Sequence, residues 1–308
     1  RERLHLLVEA WRSLFLIARP DVLIVNYAPV AQLAARLLGI PTVEIGEGFS
    51  IPPHESPFPP LSVNDAAAID EEQAALALTN ELLHDYGRPS LDRLCDVLSA
   101  DRTFLCTFRE FDHYPTRADA TYCGPLFSHT DGVLPAWKDN ACPKLFAYLK
   151  ADYPGVDELI SRLAGHALDV MLFLSGASSA LVARAESFGL TVSVDPIDMA
   201  TVVATCDIGL CHSGPGTTIA LLLGGKPALL LPMQFEQSLT ARNVVRAGMG
   251  RALKPHCSGE EFDSELTAVI DGTEMATAAR AFQTKYRQFD PLVLATTIAE
   301  AALGFAKQ

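Results

Sequence analysis

The run His212-Ser213-Gly214-Pro215-Gly216-Thr217-Thr218 gathers an imidazole, hydroxyls and two glycines at consecutive positions. Those residue types suit the binding of an anion. A glycine has no Cβ, so its backbone can approach a phosphate closely. Thr217 and Thr218 offer hydroxyls, and His212 is a further hydrogen-bond donor to the same anion. The flanking residues give the run a setting. Ile208 to Cys211 is a short apolar stretch that reads as a buried parallel strand. The apolar segment from Ile219 to Leu223 reads as a helix ended by Gly224 and Gly225, with Pro227 just beyond. A helix that opens on such a turn presents unpaired N–H groups and the positive end of its dipole.

A glycine-rich turn taken alone reads equally well as simple chain closure. Here a second strand follows, Pro227 to Leu231, and then Gln234, Glu236 and Gln237 at its carboxyl end, entering another helix. Ligands of open α/β sheets bind at the carboxyl ends of strands. One crevice is thus offered both a phosphate cradle and a set of partners suited to sugar hydroxyls.

The ordered series His212-Ser-Gly-Pro-Gly-Thr-Thr, Gly225-Lys-Pro, Leu231-Pro, Glu236-Gln237 and Ala247-Gly-Met-Gly resembles the donor-binding signature of UDP-glycosyltransferase-like enzymes. Spread over about forty positions, it is far more specific than a single turn. The resemblance implies the α/β GT-B fold: two Rossmann-like domains with parallel sheets facing a cleft. It implies transfer of a sugar from a UDP or dTDP sugar, a co-substrate rather than a cofactor, to a hydroxyl of a small-molecule or lipid-like acceptor, with no metal. His212, Ser213, Gly214, Gly216, Thr217 and Thr218 would bind the donor diphosphate. Gln234, Glu236 and Gln237 would bind the donor sugar, and Val194 and Pro196 the base. Departures from the pattern are Glu236 for the usual Asp, Thr240-Ala241 for Asn-Ala, and Lys150-Ala-Asp where the family has a Gly-Ser or Gly-Thr turn.

The 308 residues, 49% hydrophobic and 20% charged, suit one large or two ordinary globular domains. A net charge of −13 argues against nucleic acid or an anionic membrane as the main partner. No apolar run reaches the length of a membrane-spanning helix. The seven cysteines have no Cys-x-x-Cys spacing, which fits buried thiols in a reducing cytoplasm and speaks against a zinc site.

Taken in order, residues 4 to 18 carry a helical apolar period, Val22 to Val25 reads as a strand, 28 to 38 as a helix closed by Gly39, and 41 to 45 as the next strand. This is a βαβ unit and implies a parallel sheet. The proline-rich stretch 46 to 60 is a loop, with Glu44, Glu47, His54 and Glu55 as its ionisable members. It reads as a solvated connection or as an acceptor-recognition loop. Helices are expected over 65–86 and 89–99, and Asp112 and His113 are expected to be structural. The expected organisation is an acceptor-side domain over 1–126, a linker over 127–143, a donor-binding domain over 144–290, and a C-terminal helix over 291–308 that crosses back to the first domain. Nothing before Val22 reads as the family's first strand. That part of the acceptor domain, with its catalytic histidine base, is therefore expected to lie outside the chain, leaving the first domain incomplete.

Two other readings share the same residues. A sugar-nucleotide epimerase would bind the same diphosphate without an acceptor, and a non-catalytic partner subunit would keep the fold without the base. A dehydrogenase is disfavoured, because no Gly-x-Gly-x-x-Gly with a downstream acidic residue is present.

Overall fold

The computed structural model describes residues 2–61, 68–114, 116–118, 120–127, 132–138, 140–254 and 256–306. The chain divides into two compact units, with boundaries at 126/127 and 289/290, and the C-terminal segment groups with the N-terminal unit.

The first unit begins with α1 (Glu2–Ala18), β1 (Leu23–Val25), α2 (Pro29–Leu38) and β2 (Thr42–Gly46). Pro29 opens α2, where its missing N–H costs nothing. Gly39 closes it in the left-handed region at φ 71°. Val8 and Phe15 of α1 pack with Ala31, Leu33, Ala34 and Leu37 of α2. After α3 (Ile69–Asp85) the chain reaches β3 (Arg102–Leu105). Strands β1, β2 and β3 form a parallel sheet in that order.

The helix expected over 89–99 is instead one 3-10 turn, Leu94–Leu98. The amide of Asn80 explains the difference. Its Nδ2 donates to Leu91 O (2.9 Å) and its Oδ1 accepts from Leu91 N (2.8 Å). These bonds occupy backbone groups that a helix would need for itself. Asp112 and His113 are buried and hydrogen-bonded. Asp112 accepts from Arg117 Nε (2.6 Å), Tyr122 OH (2.9 Å) and Tyr114 N (3.1 Å), and His113 Nδ1 accepts from Phe49 N (2.9 Å).

The second unit is a doubly wound α/β unit. It runs β4 (Lys144–Lys150), α4 (Val156–Gly165), β5 (Asp169–Ser175), α5 (Ser179–Ser187), β6 (Thr191–Ser193) and α6 (Met199–Thr205). It continues through β7 (Ile208–Cys211), α7 (Pro215–Leu223), β8 (Ala228–Leu230), α8 (Phe235–Arg246), β9 (Gly250–Ala252), α9 (Gly259–Ile270) and α10 (Thr273–Lys285). All pairings are parallel, in the order β6-β5-β4-β7-β8-β9. The chain winds outward from β4 on one side and then restarts at β7 on the other. The switch point falls between β4 and β7, where such folds bind ligands. The strands are near-continuous apolar runs because helices cover both faces. Leu145, Leu149, Leu172, Leu174, Leu210 and Leu229 are completely buried in this core.

Described parts of the segment expected as a linker are tied to the second unit. Val133 pairs with Ile197, the Lys138 N–H donates to Asp169 Oδ2 (2.7 Å), and Trp137 Nε1 donates to Thr205 Oγ1 (2.9 Å). A Cβ on Gly132 would lie 2.2 Å from the Ile197 carbonyl carbon, so only glycine permits that approach. The last helix, α11 (Pro291–Ala306), packs with β2 of the first unit.

The packing of α7 on β7 aims the turn between them. A Cβ on Gly209 would sit 2.3 Å from Leu221 Cδ1 of α7. Gly209→Ala is therefore expected to destabilise the protein by about 1–3 kcal/mol through overpacking, read as a lower midpoint in denaturant unfolding.

Candidate functional site: the carboxyl ends of β4, β7 and β8

The β7–α7 turn is built from a strained residue and a helix start. Ser213 has φ 61°, in the left-handed region, and is fully buried. Its Oγ has no hydrogen-bond partner, an arrangement that clusters at ligand sites. Gly214 is the N-cap of α7 and Pro215 its first residue. Pro215 has no N–H, and the Thr218 N–H is bonded to Gly214 O (3.1 Å). The amides of Gly216 and Thr217 are those the helix leaves without an intrahelical acceptor.

The two glycines are not required by the chain's own packing. Gly214 has φ −61° and ψ 135°, accessible to any residue. A Cβ on either Gly214 or Gly216 would meet nothing within 4 Å. Glycine within a helix costs about 0.5–1 kcal/mol relative to alanine, so Gly216 is locally unfavourable. The missing side chains keep open a space in front of the unpaired amides.

Two residues of the expected diphosphate set have a different place. Thr218 is fully buried, with its hydroxyl at 3.4 Å from Cys211 Sγ. Its position in the first turn of α7 faces the core, so neither its hydroxyl nor its amide is available to an anion. His212 is only 2% exposed, and both ring nitrogens are engaged. The Lys150 N–H donates to Nε2 (2.9 Å), so Nδ1 carries the ring proton and donates to the Leu231 carbonyl (3.0 Å). The imidazole thus has no N–H to offer an anion. It ties the carboxyl end of β4, through Lys150, and that of β8, through Leu231, to the end of β7. Tyr153 and Tyr148 pack around it, with ring centroids 5.1 and 5.8 Å away. Burial holds its pKa below the ordinary 6.5 and the Lys150 charge adds to this, while the bond to Leu231 opposes it.

At the end of β8, Gln237 is buried and its Oε1 accepts from Met233 N (2.7 Å), which fixes the turn into α8 and leaves the amide NH2 as the group it can offer. Glu236 keeps one carboxylate oxygen, Oε1, without a hydrogen-bond partner. Gln234 is the exposed N-cap of α8. Val194 is about half exposed beyond β6. The Pro196 carbonyl accepts from Val133 N (2.8 Å), so the 132–133 segment holds that loop in place.

The first unit carries a cavity of about 680 Å3, lined in part by Glu44, Ile51, Phe58, Leu98 and Thr103. Glu44 lies on β2 and is 4% exposed. Its carboxyl accepts long hydrogen bonds from Gln32 Nε2 (3.3 Å) and Thr103 Oγ1 (3.4 Å). Burial raises its pKa from 4.5 to about 7, outweighing the two hydrogen bonds, which act to lower it. Sequence reasoning set Glu44 beside a loop, and its burial is a tertiary result. Nearby, His54, Cys95 and Asp96 bring a nitrogen, a sulfur and an oxygen within 4.8 Å of one another. Arg93 Nη2 lies 2.8 Å from both His54 Nε2 and Asp96 Oδ1, so a cation would have to displace it.

His212→Ala is expected to lower stability by about 1–3 kcal/mol, because Lys150 N–H and Leu231 O lose their buried partner. Amide exchange at Lys150 should accelerate in step. Glu44 gives the opposite sign. Its unfolded carboxyl ionises near 4.5 and its folded one near 7. As pH rises, the unfolded state loses its proton first, so stability falls between those values and levels off above them. Glu44→Gln removes this loss and should be more stable than the parent at pH 8 by on the order of 3 kcal/mol, with the gap closing below pH 4.5 in denaturant titrations.

Residues 178–290 match the glycosyltransferase family 28 C-terminal domain. A UDP-N-acetylglucosamine--N-acetylmuramyl-(pentapeptide) pyrophosphoryl-undecaprenol N-acetylglucosamine transferase of Solibacter usitatus (strain Ellin6076) is 36% identical over 102 residues, 30% of this chain and 28% of that protein. The zeaxanthin glucosyltransferase of Pseudescherichia vulneris is 22% identical over 289 residues, covering 81% of this chain and 66% of the relative. The chain therefore spans about two thirds or less of these curated relatives. Among solved structures, the spinosyn rhamnosyltransferase SpnG complexed with thymidine diphosphate aligns at a TM-score of 0.67 with 20% identity, covering 95% of this chain and 76% of that one. Among the described residues no helix is long and apolar enough to cross a membrane. Residues 178–290 are thus similar to the glycosyltransferase family 28 C-terminal domain, and the chain has the fold of the GT-B glycosyltransferases.

Proposed function

We propose that this chain binds a nucleoside-diphosphate sugar in its second unit and serves a glycosyltransferase that moves the sugar to an acceptor hydroxyl. The observation that carries this reading is the open space at Gly214 and Gly216 in front of unpaired α7 amides, with the buried, unpartnered Ser213 Oγ beside it. A diphosphate supplies the acceptor atoms that these groups lack. In the reaction the bond between the sugar's anomeric carbon and the β-phosphate oxygen breaks, and a bond to the acceptor oxygen forms. The acceptor's proton passes to a base. Charge develops on the leaving diphosphate, and the Gly216 and Thr217 amides with the α7 dipole stabilise it in place. On this reading no metal is required.

His212 is then a positioning residue that holds three strand ends in register around the site, rather than a ligand of the phosphate. The unpartnered Glu236 oxygen and the Gln237 amide are suited to sugar hydroxyls. Val194 and Pro196 stand beyond β6, where the family pattern places the base. UDP and dTDP sugars are both candidate donors. The names of similar proteins include a UDP-N-acetylglucosamine donor and a thymidine diphosphate complex, and small-molecule or lipid-like acceptors are consistent with those names.

The test is calorimetric titration of the chain with UDP, dTDP and GDP in EDTA, beside a Gly214→Val variant. The expected result is binding of one nucleotide, at least about tenfold weaker in the variant, with the variant still folding cooperatively because a Cβ there meets nothing within 4 Å. A folded parent that binds none of the three would remove the donor site. Undiminished affinity in Gly214→Val would move it elsewhere.

A further inference from the structure

The cavity of the first unit holds a carboxyl group whose chemistry the donor site does not use. Glu44 projects from β2 into this space, whose mixed lining sets the apolar Ile51, Pro52, Phe58, Leu98 and Leu105 beside polar residues such as Ser99 and Thr121. It is almost wholly buried, and its two hydrogen bonds, from Gln32 and Thr103, are long. Among the described residues no lysine, arginine or histidine is paired with it.

The basic side chains that share its surroundings already have other partners. Arg117 also lines the cavity, but its Nε donates to Asp112 Oδ2 (2.6 Å) and its Nη2 to the Ile51 carbonyl (2.6 Å). His54 Nε2 lies 2.9 Å from Asp96 Oδ1 and 2.8 Å from Arg93 Nη2, and bonds to one or the other according to its protonation. Arg36, on α2 one turn from Gln32, donates to the Asp96 carbonyl (2.5 Å). The remaining ionisable groups on the lining are Glu55 and the thiol of Cys95, which burial keeps protonated. The cavity therefore combines several apolar lining residues with an unmatched acidic group that is almost wholly buried. A neutral ligand would leave that carboxyl desolvated, whereas a cation would compensate it.

We propose that this cavity binds an amphipathic small molecule carrying a protonated amine, its ammonium group paired with the Glu44 carboxylate and its apolar body against Ile51, Phe58 and Leu98. On binding at pH 6, where Glu44 is mostly protonated, it releases its proton to solvent and the ammonium takes the proton's place. Within the glycosyltransferase reading this names a class of acceptor. The site lies wholly in the first unit, so its test reads binding alone and is independent of nucleotide binding.

The experiment is calorimetric titration with phenethylamine and, as a neutral match, phenethyl alcohol, at pH 6 and pH 8, using the parent chain and Glu44→Gln. The parent should bind the amine at least about tenfold more tightly than the alcohol at pH 8. Because Glu44 must ionise to pair, amine affinity should rise roughly tenfold from pH 6 to pH 8, with proton release seen as a buffer-dependent heat, while alcohol affinity stays flat. Glu44→Gln should abolish both the preference and the pH dependence. Equal affinities for amine and alcohol in the parent, no binding of the amine, or an amine preference that survives in Glu44→Gln would each overturn the proposal. The pH series on the parent decides the matter by itself if the variant does not fold.

Discussion

The arrangement of the second unit depends on one buried imidazole. His212 stands at the end of β7, accepts from the Lys150 N–H at the end of β4 and donates to the Leu231 carbonyl at the end of β8. Parallel strands are held along their lengths by ladder bonds, but their carboxyl ends diverge into separate loops. A group that bonds all three ends at once fixes where those loops start. That is the geometric precondition for a ligand site at the switch point. The cost is specific: a ring with both nitrogens committed in a desolvated setting stays neutral and cannot itself meet an anion.

Once the strand ends are fixed, the anion-binding capacity comes from backbone rather than side chains. Ser213 is held at positive φ, Pro215 starts α7 without a donor of its own, and the next two amides are left facing the space that two glycines keep clear. Close contact of Gly209 with Leu221 sets how α7 lies on β7 and hence where those amides aim. Local strain, helix start and strand–helix contact thus form one mechanical chain that ends in two oriented N–H groups.

The first unit solves a different physical problem. Its three-stranded parallel sheet carries Glu44 on the middle strand, beside a cavity of mixed polar and apolar lining. A carboxyl there is costly to ionise, and the neighbouring arginines and histidine are bound to other acceptors. The group therefore stays poised near neutrality, at about 7, sensitive to any cation that enters. Asp112 shows the contrast. Equally buried, it accepts from Arg117, Tyr122 and the Tyr114 amide, which tie its loop together.

Periodicity and punctuation made most of the elements legible in the sequence: Pro29 and Gly39 bracket α2, and Ile208 to Cys211 and Pro227 to Leu231 read as buried strands because no polar residue interrupts them. The turn at 212–218 was legible for the same reason, since glycine, proline and hydroxyl residues report backbone geometry directly. What residue type could not report was the partner each polar atom had already taken. His212 and Thr218 look like anion ligands in one dimension and prove to be bonded to Lys150, Leu231 and Cys211 in three. Residues 89–99 carry a helical pattern, yet the Asn80 amide captures the backbone at Leu91 and leaves only a short turn. Glu44 looks like any strand glutamate until β3 and α2 enclose it. Sequence alone determined which backbone shapes the chain adopts, because those depend on neighbours a few positions away. Only the tertiary structure decided which polar groups remain free to act, because that depends on hydrogen bonds and burial contributed by residues far along the chain.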